Sequence, residues 1–324
     1  MRPARPVEPP APARPDRSAY LLLAPFLVVF LLFGLGPLVW TGVTALHRVE
    51  LTDPAVMEWV GARNLRRLAT DEFFLGALWT TVVIGVLSTV PQLALALWLA
   101  ELLRRGVRGG AGGLFRVALL APYATSVAAA TLVFALLFGA DRGPVNAALG
   151  WVGVTGPDWQ NQPLAARVAV SSIIVWRWTG YNALLYLAAA QAVPAERYEA
   201  AALDGAGAWR QFAHVTLPAL RPTILFTCVV SAIGATQVFG EPLLFAGGSG
   251  ASGGAEHQVQ TLGLYLYEQG WVNLHLGRAA AIAWAMVAVA AGAAGSVALV
   301  GRVVRARERA RARARARGRV GVAA

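Results

Sequence analysis

Residues 18–46 read SAYLLLAPFLVVFLLFGLGPLVWTGVTAL, twenty-nine positions with no charge between Arg17 and Arg48. The hydrocarbon core of a bilayer is about 30 Å thick and takes roughly 20 apolar residues as a helix. This block is therefore long enough to cross by itself. It is apolar at successive positions rather than alternate ones, which excludes a barrel strand and predicts a helix that satisfies its own backbone polar groups. It also far exceeds the roughly 7–15-residue apolar run of a secretory signal. We read it as an uncleaved first span, preceded by a Pro-, Ala- and Arg-rich stretch, 1–17, that is expected to be disordered.

Five further apolar blocks follow, at about 73–100, 117–140, 168–193, 222–245 and 279–301. The expected fold class is all-α and integral to the membrane, with six transmembrane helices. Composition agrees, since 57% of residues are hydrophobic and only 14% charged, against about 25% charged in soluble domains.

All 28 basic residues are arginine, and their positions set the orientation. With the N-terminus inside, the inner segments hold 20 arginines and the outer ones seven. Basic residues concentrate on the cytoplasmic side, so both termini are expected there. The tail, 302–324, carries nine of those arginines, most in an Arg-Ala alternation. It reads as a topology-fixing segment beside anionic lipid heads and not as a nucleic-acid-binding arm.

The absence of lysine excludes chemistry. A phosphate-binding loop of the G-x-x-x-x-G-K-[ST] type needs a lysine, and so does a Schiff-base enzyme. Any nucleotide must be held by another subunit. The single cysteine, Cys228, lies in an apolar run and allows no intrachain disulfide. His47, His214, His257 and His275 are scattered without metal-ligand spacing, so no metal site and no enzyme is expected. A secondary transporter would show intramembrane acids for ion coupling and matching inverted halves; only Arg177 and Glu241 lie at depth, and no matching halves are evident.

The inner loop between the fourth and fifth spans, about 192–221, reads AVPAERYEAAALDGAGAWRQFAHVTLPALR. It predicts two short helices broken at Asp204-Gly205, with Pro194 in the first turn and acidic residues near the start. Gly205 supplies the freedom for the break. Pro222 is expected to open the fifth span. Helices this short are marginal alone in water, so the loop should pack against something.

This loop resembles the EAA segment of ABC-importer permeases. The match runs over Glu199-Ala200-Ala201, Gly205, Val215 and Leu217-Pro218, with Val215 where the family usually has Ile. Tyr198, Asp204, Ala206, Phe212 and Leu220-Arg221-Pro222 are similar to the carbohydrate-uptake branch. Further resemblance to its first permease type comes from Ala24-Pro25, Gly36-Pro37, Val60-Gly61-Ala62-Arg63-Asn64-Leu65 and Gly143-Pro144-Val145-Asn146. Val175 to Asn182, Tyr265 to Gln269 and Leu276 to Ala279 add to it, whereas the Gly/Ser-rich outer loop from Gly247 to Gly254 departs from the family's pattern.

The resemblance implies a type I importer permease that pairs with a second, homologous permease. Two cytoplasmic ATPase subunits would lie beneath the permease pair, and this chain's EAA loop would dock on the ATPase through Glu199, Ala200, Ala201, Asp204, Gly205, Val215, Leu217 and Pro218. An extracytoplasmic sugar-binding protein would deliver the solute. No cofactor is implied for this chain, ATP and Mg²⁺ being used by the ATPase partners. Glu241 to Phe245 and Tyr265 to Trp271 resemble cellobiose-type permeases. Another oligosaccharide or glycerol-3-phosphate stays open.

Candidate substrate-path residues lie in two spans. The fourth holds Arg177, Trp178, Tyr181 and Asn182; the fifth holds Ser231, Thr236, Gln237 and Glu241. The resemblance supports Tyr181 and Ser231 through their offsets from the EAA segment. Such polar groups equally serve helix–helix hydrogen bonding. Arg177 and Glu241 are ionisable at depth, where a charge is paired or functional, and each is a candidate partner for the other.

Overall fold

A computed structural model describes residues 17–106, 111–140 and 143–322. Residues 1–16 of the stretch expected to be disordered lie outside the described residues, as do Arg108 and Arg142.

The first span comprises α1 (Arg17–Val29), a widened π turn (Phe30–Leu35) and α2 (Gly36–Ala45). The widening falls just before Pro37, which has no N–H for the helical ladder and crowds the turn before it. The span makes little of the core: its most apolar stretch is not buried at all within this chain.

An outer hairpin follows, β1 (His47–Glu50) antiparallel to β2 (Asp53–Trp59), with a register shift between Arg48 and Glu50. Among the described residues this is the one sheet, a departure from the all-α expectation. Its strands are short and rich in charge, so they carry no clean alternation to read. After α3 (Arg63–Leu68), the second span is α4 (Glu72–Gly106), six residues longer at its inner end than expected. Asp71 caps it, its Oδ1 accepting from the N–H groups of Phe73 and Phe74.

The third span is not continuous. It divides into α5 (Ala111–Ala124) and α6 (Val127–Leu137), bent 89° apart at Thr125-Ser126. Pro122 interrupts the ladder one turn before the bend, and Ser126 is extended. An outer helix, α7 (Pro144–Trp151), leads to the fourth span, α8 (Pro163–Gln191).

On the inner side come α9 (Ala195–Leu203) and α10 (Ala208–Gln211). A π turn (Phe212–Thr216) joins α10 directly to α11 (Leu217–Thr236). Ala208–Thr236 is thus one helical run, and Pro222 lies within the span instead of opening it. The expected 222–245 block breaks after Thr236, resuming as α12 (Gly240–Phe245). The outer segment then forms a 3₁₀ turn (Gly247–Ser252), α13 (Leu262–Tyr267) and a π turn (Glu268–Val272). The final helix, α14 (Leu276–Val322), carries the sixth span and continues through the tail.

Four of these helical runs are long and apolar enough to cross a membrane, and the bent α5–α6 pair supplies a fifth. The remaining expected span, the fourth, is α8, which has the length but a more polar composition. Burial explains this: α8 packs along α4, with Ser171, Thr179 and Asn182 enclosed by protein, where polar groups find partners. Thr179 Oγ1 donates to Val175 O and Asn182 Nδ2 to Trp178 O.

Contacts hold the connections in two groups. At one end, Glu50 meets His275, Tyr265 donates to Asp71, and Gln258 donates to Gln160 O. At the other, Arg105 donates to Ala208 O and Arg104 lies 4.1 Å over the Tyr198 ring.

Candidate functional site

The inner loop folds as two helices with a break where Asp204-Gly205 stands. Gly205 has φ +75°, a conformation that costs a residue with a β-carbon. The Ala206 N–H donates back to Ala201 O and the Gly205 N–H to Ala202 O, closing α9. Pro194 sits as the residue just before α9, not inside its first turn.

Glu199, Ala200, Asp204 and Gly205 are exposed along this hairpin, and Ala201 is half-buried. Val215, Leu217 and Pro218 lie half-buried where the π turn meets α11. The structure brings the eight residues onto one feature, anchored from behind. Tyr198 Oη shares a hydrogen bond of 3.1 Å with Thr216 Oγ1. Glu101 binds both Arg104 and Arg105, which reach across to Tyr198 and Ala208. Sequence reading passed over this anchor, although Glu101 with arginines three and four positions on marks ion pairs on one helix face. The outward side ends in two large apolar groups, Leu203 at 90% and Trp209 at 75% exposure. Two large apolar groups exposed on one hairpin suit contact with another protein.

Deeper in the chain, α4, α8 and α11 enclose a cavity of about 450 Å³. Arg177, Trp178, Tyr181, Asn182, Ser231, Gln237 and Glu241 all line it. Thr236 is separate: it is buried, its hydroxyl donates to Ile233 O, and it faces a groove against α14 beside Ala283 and Met286. Three lining groups from α4, namely Ser88, Thr89 and Gln92, were not singled out in the sequence. Gln92 Nε2 donates to Ser231 Oγ at 3.2 Å. Its signal was an amide inside an otherwise apolar span.

Arg177 Nη1 donates to Glu241 Oε1 at 3.1 Å, and its Nη2 lies 3.5 Å from Thr125 O at the bend of the third span. Both side chains are mostly enclosed, so the expected pairing is realised inside the protein. Beside it, Tyr123 stacks on Tyr181 at 4.9 Å and meets the edge of Trp178 at 5.1 Å. Among the described residues, no cluster of His, Cys, Asp and Glu is placed to hold a metal ion. The Gly-x-Ser-x-Gly spelling at 250–254 lies in and just after a 3₁₀ turn, and Ser252 Oγ donates to Gly254 O. It is not the strand-to-helix elbow that exposes a nucleophile.

Residues 79–309 match the family of binding-protein-dependent transport system inner membrane components. The lactose transport system permease protein LacF of Rhizobium radiobacter is 36% identical over 78% of this chain and 83% of its own. The arabinooligosaccharides transport system permease protein AraP of Halalkalibacterium halodurans is 33% identical over 81% of each. The sn-glycerol-3-phosphate transport system permease protein UgpA of Yersinia pestis is also 33% identical, over 84% and 90%. A chain of a bacterial ABC transporter that imports the acidic polysaccharide alginate superposes with a TM-score of 0.74 at 22% identity, covering 89% of this chain and 96% of that one. That likeness is one of fold.

Proposed function

The chain belongs to the family of binding-protein-dependent transport system inner membrane components, and from that premise we propose that it is a permease subunit of an ATP-driven sugar importer. It is a multi-pass membrane protein and not an enzyme: its cargo crosses unchanged. In this reading the cavity between α4, α8 and α11 is this subunit's half of the path, and a second permease closes the other half. The α9–α10 hairpin takes the stroke of one of two ATPase subunits, which hold ATP and Mg²⁺. A sugar-binding protein docks at the opposite end. The arginine bias puts both termini and the hairpin in the cytoplasm.

One observation carries the proposal. The second helix of the exposed hairpin, which bears Trp209, continues without a break into α11, which lines the cavity with Ser231. A docking face and a polar cavity on one helical run suit a part that couples an external event to passage of a solute. Relatives named for lactose and arabinooligosaccharides support a di- or oligosaccharide, such as cellobiose, as the cargo. The relative named for sn-glycerol-3-phosphate supports a second reading, in which the cargo is a small phosphate ester.

The test is uptake by proteoliposomes holding the assembled transporter. Labelled cellobiose or lactose should accumulate only with hydrolysable ATP and the binding protein, and proton and sodium ionophores should leave the rate unchanged. Uptake that follows an ion gradient without ATP would overturn the proposal.

A further inference from the structure

Family membership leaves the charge of the cargo open. Some relatives are named for uncharged sugars, others for a phosphate ester or, among solved structures, an acidic polysaccharide. The cavity wall bears on this point. Among the described residues, its only charged members are Arg177 and Glu241, which have opposite sign and sit 3.1 Å apart. The wall therefore has no net charge. An anion inside it would need an uncommitted cation within reach, but the Arg177 guanidinium is turned to Glu241 and Thr125 O, and its Nε, which has no partner among the described residues, is buried away from the cavity. The nearby carboxylate repels a second negative charge in a poorly screened site.

The remaining polar groups favour hydroxyls. Gln92 Oε1 is buried with no partner among the described residues, while its Nε2 is occupied by Ser231. That carbonyl is enclosed as the Arg177 Nε is, so the groups left for a ligand are uncharged lining side chains such as Thr89 and Gln237. Such groups pair with sugar hydroxyls, which donate as well as accept, and offer no charge to balance a phosphate or uronate group. The faces of Trp178 and Tyr181, held against Tyr123, add flat apolar surface that needs no charge on the ligand.

Resting on the reading of this cavity as the substrate path, we infer that it takes uncharged sugars and refuses anionic ones, because Glu241 neutralises Arg177 and leaves the wall no free cation. Neutralising Glu241 alone leaves a free guanidinium in the wall and converts the cavity to one that accepts anions.

Direct binding to the assembled transporter in nanodiscs, without the binding protein, tests this. The probes are labelled cellobiose, lactose, sn-glycerol-3-phosphate and a galacturonic acid disaccharide. The unaltered protein should bind a neutral disaccharide at least tenfold more tightly than either anion. Glu241→Gln should raise the ratio of anion to disaccharide affinity at least tenfold, and added salt should reverse the gain. If Glu241→Gln does not assemble, the double variant Arg177→Gln with Glu241→Gln serves: it should keep the preference for neutral probes, and a gain in anion binding there overturns the inference. Equal binding of neutral and anionic probes by the unaltered protein, or an unmoved ratio in Glu241→Gln, also overturns it.

Tyr181→Ala separates the two levels of the argument. Loss of disaccharide binding in this variant upholds the path, so any failure then belongs to the selectivity alone. Unchanged disaccharide binding in Tyr181→Ala, or no disaccharide binding by the unaltered protein, removes the path and the selectivity together.

Discussion

Gly180 on α8 lies directly against the carbonyl of Leu119 on α5: a β-carbon at position 180 would stand 1.8 Å from that oxygen. A backbone atom cannot step aside as a side-chain tip does. Gly180→Ala should therefore force α5 from α8 at a cost of about 3 kcal/mol or more. The yield of monodisperse protein in detergent and its thermal midpoint measure this, with Gly76→Ala, where nothing lies within 4 Å, as the control.

Tyr186 is fully buried between α4 and α11, and its hydroxyl bonds Thr227 at 2.6 Å. Tyr186→Phe should cost about 1 kcal/mol, the net worth of one such bond. Tyr186→Ala opens a cavity and should cost roughly 3–5 kcal/mol. Thermal unfolding of the purified permease distinguishes the two steps, and equal losses would mean that packing contributes nothing.

Leu203 and Trp209 project from the inner hairpin with little of this chain around them. Leu203→Asp and Trp209→Asp should change the permease's own stability by no more than about 0.5 kcal/mol. Association with the ATPase subunits should weaken by about 2 kcal/mol for each, on the order of 30-fold. Co-purification at graded ATPase concentration reads the second effect. Intact association in both variants would remove this face from the interface.

Glu268 in the outer segment is pushed above the ordinary carboxyl range by burial, with the charge of His257 and the hydrogen bond from Gln260 acting the other way. On acidification such a group takes its proton in the folded chain before it does in the unfolded one. Stability should then rise as pH falls from neutral through the folded-state value, and level off below the unfolded one. Midpoints across pH 4 to 7.5 should show this slope, and Glu268→Gln should flatten it.

The long helices were legible because bilayer thickness imposes a length that chance composition rarely meets. The bend at Thr125-Ser126 was not, because Pro122 alone is tolerated in membrane helices. The bend coincides with contacts distant in sequence: Gly180 admits Leu119, and Arg177 approaches the Thr125 carbonyl. The same limit applied to the cavity. Arg177 and Glu241 stand out anywhere in an apolar block, so their pairing could be guessed. Gln92 was visible as a polar residue, but nothing local ties it to Ser231, 139 positions away. Thr236 shows the reverse error. It belongs to the right span, but its position on the helix turns it toward α14.

The join between α10 and α11 has a mechanical meaning. Ala208–Thr236 is a single rod of 29 residues, about 43 Å long at 1.5 Å per residue. A flexible hinge at the membrane surface would let the hairpin swing while the cavity stayed still. Here the compliant points are the wide turn at Phe212–Thr216, which Tyr198 braces through Thr216, and Pro222, whose missing N–H removes one rung of the ladder within α11. Displacement of Trp209 is carried along the rod as rigid tilt or slide, and Ser231 moves with it. The hydrogen bond from Gln92, on a helix outside the rod, is then among the first contacts to be sheared.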